Sequence, residues 1–182
     1  MDSPLKEPIK VIADIIQSEM DLDAGQVMVY NQKYNIPKTD KLFIVISNLG
    51  DKIIGNNNYT VPTVGGMNEI QETVSASLIQ IDLMSPESKD VDGNPYNEAR
   101  NRRIELIMAL KSIYAQKKCD ENEIRVSFIP SSFVDISIAE GTSMLTRYAI
   151  TITTYSISRK IKVLEEYFDT FKTPEVHVDD NT

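Results

Sequence analysis

Histidine, cysteine and tryptophan are almost missing from this chain: its 182 residues hold one His, one Cys and no Trp. The lone Cys119 cannot close an internal disulfide, so nothing points to an oxidising compartment. Zinc would need clustered Cys and His, and no such cluster exists. The only histidine, His177, falls in a stretch expected to be a mobile tail, which holds a general base poorly, so no Ser–His or Cys–His relay is expected. Glycine (7) and proline (8) are too few for a low-complexity or collagen-like chain. No apolar run approaches the roughly 18 to 20 residues of a membrane span. The polar start, with Pro4 and Pro8, does not read as a signal peptide, so a soluble, intracellular protein is expected. Positive charge is also short. Nineteen Lys and Arg face 27 Asp and Glu, a net charge of −8, which argues against a protein that coats nucleic acid.

The motifs of enzyme sites are missing too. Gly50 and Gly55 have the spacing of a phosphate loop but lack the Lys-Ser/Thr that must follow. Asp90, Asp92, Gly93 and Asn94 look superficially like a calcium loop, yet the glycine comes too early and no glutamate stands at the twelfth position. Lys117 and Lys118 precede Cys119 and would lower its pKa somewhat, but with no histidine placed beside it a free thiol near a helix end is the reading. No catalytic residue, cofactor or metal is therefore assigned, and the chain is not expected to be an enzyme.

What is present is apolar patterning. Pro8 opens a predicted helix in which Ile9, Ile12 and Ile16 follow helical spacing with Val11 and Ile15 beside them, ending before an Asp21–Gly25 loop. Gln26–Tyr30 is a candidate short strand and Asn31–Thr39 a connecting loop. Leu42–Ile46 reads as a strand, with Ile53–Thr60 pairing back through a turn at Asn48–Asp51. Asn56–Asn58 mark strand ends or a loop, and Gly65-Gly66 a further break. In Glu69–Ser85 the apolar parity flips: Val74, Ala76 and Leu78 are followed by Ile79, Ile81 and Leu83. Either a β-bulge restores a single buried face, or the strand buries one face in its own core and the other in a partner.

After a turn at Asp90–Asn94, Asn94 as cap and Pro95 as first residue predict a long helix to Lys118, about 36 Å at 1.5 Å per residue. Its apolar residues, among them Ile104, Leu106, Met108, Leu110 and Ile113, cover more arc than one sheet contact needs. Strands follow at Ile124–Phe128 and Phe133–Ala139, then a turn at Gly141. A long strand at Leu145–Ser158 follows, whose parity also breaks, between Ile152 and Tyr155. Ile161–Phe171 reads equally as continued strand or closing helix. Residues 173–182 are acidic and unpatterned, a flexible tail beyond a single domain at 1–172. The fold class is α+β: a curved mixed or antiparallel sheet packed on a long central helix and an N-terminal helix.

Four arginines stand out as candidate subunit-interface residues. Arg100, Arg102 and Arg103 open the long helix as a possible basic stripe, with pairing to Glu98 or Glu105 as the plainer alternative. Arg147 lies on an apolar strand, sharing its side with Ala149, and needs a carboxylate from its own chain or a neighbouring subunit.

The order of elements resembles the neck-terminator and tail-terminator proteins of tailed bacteriophages. The resemblance runs over about residues 8–172 and is carried by five features: the N-terminal helix, Asn31-Gln32 with the Pro37 loop, the Glu72–Met84 strand leading into Glu98-Ala99-Arg100, the hairpin, and Thr146-Arg147-Tyr148. Asn56–Asn58 and the acidic end depart from it. The resemblance implies a structural virion protein forming a ring, usually of six, that terminates the tail tube and joins it to the head connector. Its partners would be copies of itself, the tube protein and connector proteins, with DNA passing through unbound and no membrane involved. A head–tail adaptor, tail-completion protein or minor baseplate component is the near alternative, and an intracellular domain holding a small ligand in the sheet–helix cleft the distant one.

Overall fold

Proline at the first turn starts a helix where the spacing predicts one. In the computed structural model, which describes residues 6–29, 41–63, 66–89, 91–140 and 143–164, α1 (Pro8–Glu19) buries Val11, Ile12, Ile15 and Ile16 on one side. It closes at Met20, and the left-handed residue that turns the chain is Asp21 (φ 49°), ahead of Gly25. β1 (Val27–Val29) leads to β2 (Phe43–Thr63) and β3 (Gly66–Pro86). A small two-stranded pair, β4 (Ser88–Lys89) and β5 (Pro95–Tyr96), precedes α2 (Glu98–Leu110) and α3 (Ile113–Glu121). Then come β6 (Ile124–Phe128), β7 (Val134–Asp135), β8 (Ile138–Glu140) and β9 (Ser143–Leu164).

The fold is α+β, dominated by a mixed sheet, with three helices among the described residues. The strand order is β1-β2-β3-β9-β6, with β7 and β8 also pairing along β9. Among the described strands, only the β1–β2 pairing is parallel. Ile44, Ile46, Ile79, Ile81, Leu83, Tyr148, Ile150 and Ile152 form one sheet face, and they share a single buried cluster with the inward residues of the three helices. Burying such side chains is the main stabilising term, about 1.5 to 3 kcal/mol each.

The long central helix is not there. Pro95 sits in β5 opposite Lys89, and the cap is Asn97, extended at φ −132° and ψ 111°. Its side-chain oxygen accepts from the Arg100 N–H at 2.8 Å while its amide donates to Thr146 Oγ1 at 2.7 Å. The rod breaks again at Lys111–Ser112, where Ser112 turns extended and its Oγ accepts from the Ala115 N–H at 2.9 Å. Apolar periodicity continues across the break, but a serine able to cap free N–H groups outweighs it. Asn97→Ala should cost about 1 to 2 kcal/mol in denaturant unfolding, the cap's worth plus the tie to β9. A loss below about 0.5 kcal/mol would remove Asn97 from that role.

β2 corrects a second expectation. Ile53–Thr60 does not fold back on Leu42–Ile46; it and Phe43–Ile46 belong to one 21-residue strand antiparallel to β3, with register shifts at Asn48/Gly50 and Ile53/Gly55. The supposed turn at Asn48–Asp51 is a bulge dressed with turn-like bonds. Asn48 Oδ1 accepts from the Gly50 N–H at 2.9 Å, and its amide donates to Asp51. Gly50 holds φ 155°, which a side chain disfavours. Asn56–Asn58 lie in mid-strand, opposite Thr73, Glu72 and Gln71. Phe133–Ala139 is two short strands rather than one, and β9 extends past Ser158 to Leu164, so the strand reading holds for 161–164. The expectations for Asn31–Thr39, Gly65, Asp90, Gly141, 165–172, His177 and the tail at 173–182 lie outside the described residues.

Candidate interaction surface

β3 and β9 settle the parity question. They pair without a register shift from Met67↔Leu164 to Pro86↔Leu145, so no bulge restores a common face. Directly opposed residues share a face, which makes Ile79, Ile81 and Leu83 neighbours of Ile152, Ile150 and Tyr148 on the helix-covered side. Val74 and Ile70 lie on the other side, beside Ile157 and Ile161. The apolar pattern therefore changes faces midway, between Leu78 and Ile79 on β3 and between Ile152 and Tyr155 on β9. Both breaks occur at the same level of the sheet.

Beyond that level the three strands continue as an arm comprising residues 49–63, 66–77 and 154–164, about 40 Å long at 3.3 Å per residue. None of its apolar side chains belongs to either buried cluster. On the side the helices cover in the body, the arm is mostly polar: Ser75 meets Ser156 (Oγ–Oγ 3.0 Å), and Asn56, Thr73 and Ser158 form the next row, though exposed Ile53 stands opposite Ser75. The opposite side is apolar. Tyr59, Ile70 and Ile161 make one cross-strand row, Val61 and Val163 flank the next, and Val74 and Ile157 a third. Ile161 is 60% exposed and Val163 62%.

Charge also enters this face: Lys52 stands on it opposite Ala76, and an arginine crosses it farther out. Arg159 pairs with both Glu72 and Glu123, and Tyr59 Oη donates to Glu72 at 3.1 Å. The Arg159 hydrogen bond first, then that from Tyr59, holds the Glu72 carboxyl below its usual value, while desolvation works against them. Tyr59 is raised, by desolvation and then by its bond to Glu72.

The predicted arginines do not form one stripe. Arg102 points inward and is consumed by its own chain: Nε donates to Glu105 at 2.6 Å, Nη1 meets Glu98 at 3.4 Å, and Nη2 donates to the Met20 carbonyl. Arg100 and Arg103 instead converge on buried Tyr148. Arg100 Nε donates to its hydroxyl at 3.3 Å, and the Arg103 guanidinium lies 5.4 Å from the ring centroid. Arg147 finds its carboxylate at home, in Asp82, at 2.9 Å. Asp82 stands on β3 opposite Ala149, on the same side as Arg147, so the pair is a cross-strand diagonal. Gln80 Nε2 also donates to both Asp82 oxygens at 3.0 Å.

Cys119 is buried at the end of α3, and its thiol is pushed up by desolvation and then by Asp120, the reverse of a lysine-activated thiol. Among the described residues, no group of three or more His, Cys, Asp or Glu gathers as a metal site. Between the start of α1 and the sheet lies a cavity of about 630 Å³, lined by Pro8, Lys10, Asn48, Ser77, Ile79 and Ser156 among others. Another of about 550 Å³ lies at the rim between α3 and β6, lined by Leu110, Cys119, Ile124 and Ile129 among others. The sequence missed the arm as a unit, though the two parity breaks signalled it. No family model matches the chain, and no curated protein matches it.

Proposed function

We propose that the chain is a structural subunit of a tailed-phage virion. In this reading, copies with a tail-terminator-like fold form a ring, six being the usual number, that closes the tail tube and joins it to the head connector. The observation that carries the reading is the apolar face of the arm: a sheet surface that the described residues leave uncovered is a surface for another protein. The order of helix, long strand, helix and returning long strand supports the family resemblance. A net charge of −8 suits a conduit whose wall does not grip passing DNA. The chain carries no reaction in this reading and needs no cofactor. Its place is the neck of the virion, after assembly in the host cytoplasm.

Electron microscopy of the purified protein with tail tubes of the same phage tests this. Rings, or caps at one end of the tubes, are expected. Protein that leaves tube ends bare and forms no ring, at a concentration where it is folded, sinks the reading.

A further inference from the structure

β6 ends the strand order and pairs only with β9, so among the described residues its other edge is open. An open edge carries unpaired N–H and C=O groups and templates an added strand. The cavity of about 550 Å³ adjoins that edge. Ile124 and Val126 stand on the side the helices cover, opposite Ser156 and Thr154, and with Leu110, Ala115 and Ile129 they make the cavity wall apolar. Its rim is charged. Lys111 and Arg125 have no ion-pair partner among the described residues, and Asp120 is the one carboxylate beside them in the described lining. On the other face of β6, Arg125 and exposed Phe128 stand opposite Tyr155 and Thr153. The edge therefore fits an extended segment with an apolar side chain on one side and carboxylates and rings on the other.

Residues 165–171 (EEYFDTF), outside the described part of the chain, carry that pattern. They hold three carboxylates, Glu165, Glu166 and Asp169, and no Lys or Arg. Side chains of an extended segment alternate between its two sides. With Phe168 over the cavity, Tyr167, Asp169 and Phe171 fall on the other side, with Arg125 and Phe128. We infer that residues 165–171 of one copy add as a strand to the open edge of β6 in a second copy of this chain.

Reach excludes the chain's own edge. Leu164 is eight residues past Ser156, the partner of Ile124, hence about 26 Å farther along β9. Phe168 is four residues beyond Leu164 and extends at most about 14 Å from it. The arm thus carries the segment clear of its own body and offers it to a neighbour. Folding straight back along β9 is disfavoured, because Glu165-Glu166 supplies none of the Gly, Asn or Asp of a tight hairpin turn. A contact from the end of one copy to the edge of the next uses different patches on its two partners, and it closes into a ring when its rotation divides a full turn. Without the arm, Phe168 would follow Ser156 by twelve residues of free chain, about 40 Å, enough to turn back onto its own β6 and leave a monomer.

The inference rests on the assembly reading given above and names its joint. Phe168→Asp removes the side chain assigned to the cavity, and Arg125→Glu reverses the charge at the edge. At concentrations where each chain sediments as a monomer, melting curves should match wild type. Sedimentation should show self-association weakened about a hundredfold by Phe168→Asp and about tenfold by Arg125→Glu. A labelled peptide of residues 164–172 should bind the Phe168→Asp chain and slow its hydrogen exchange at 125–128, and the same peptide carrying Phe168→Asp should not. The joint is overturned if the wild-type peptide leaves that exchange unchanged, if either variant associates like wild type, or if the wild-type chain is monomeric at its highest soluble concentration. Rings that form normally from the Phe168→Asp chain would remove this joint and leave the neck reading standing. Oligomers joined through it that ignore tail tubes would do the reverse.

Discussion

Arg147→Ala should lower the unfolding free energy by about 2 to 4 kcal/mol, because it leaves the Asp82 carboxylate buried without its cation. The Asp82 side chain is 3% exposed and Arg147 26%, so the carboxylate suffers most from the loss. The two Gln80 bonds soften the effect, which places the expectation below the top of the range for a broken buried pair. For a chain of this size, the melting temperature should fall by roughly 5 to 12 °C. The pair itself is not ideal, since Arg147 Nε is buried with no hydrogen-bond partner. Replacing both ends, Asp82→Leu with Arg147→Met, should therefore recover most of the loss and bring the protein within about 1 kcal/mol of wild type. A single variant that melts with wild type, or a double variant as weak as the single, would contradict this account. The measurement belongs at a protein concentration where the chain sediments as a monomer, so that it reads the fold of one chain rather than its contacts with others.

How far this could be read from the residues depended on whether a pattern had a core behind it. α1 was legible because one helix face meets one core and Pro8 marks its start. The parity breaks at Leu78/Ile79 and Ile152/Tyr155 were legible as a choice between two structures, but only cross-strand register decides it. β2 was not legible. Asn48, Gly50, Gly55 and Asn56–Asn58 are turn formers by local preference, and strand preference depends on what packs across the sheet. Here β3 supplies that context, running antiparallel to the whole of β2. The α2–α3 break carried a signal in Ser112, hidden because the apolar spacing runs on past it. Arg147 announced its need of a carboxylate, but Asp82 is 65 residues away and becomes its neighbour only through the β3–β9 register. Arg102 illustrates the converse. Its Glu98 and Glu105 partners lie within one turn of the helix, and the plainer pairing was correct there.

Shortening the arm should abolish self-association while leaving the body folded. Lys52 and Ala76 are directly opposed, so residues 53–75 can be replaced by an Asn-Gly turn that matches the twist of a two-residue hairpin. The body keeps its whole core, because none of the removed side chains belongs to either buried cluster. Closing a shorter loop offsets part of whatever strand pairing is lost, and each halving of loop length favours the folded state by about 0.6 kcal/mol. The melting temperature should stay within about 4 °C of wild type, a change of roughly 1 kcal/mol. Hydrogen exchange should speed up only in the far end of β9, past Ser156, which loses its partner strand. Light scattering should find monomer alone at concentrations where the full chain associates. A shortened chain that unfolds would mean the arm supports the body, and one that assembles normally would mean the joint lies elsewhere. The two failures are separable because a three-stranded ribbon with one apolar face in water has no reason of its own to be this long. Its length makes physical sense only where something lies across it.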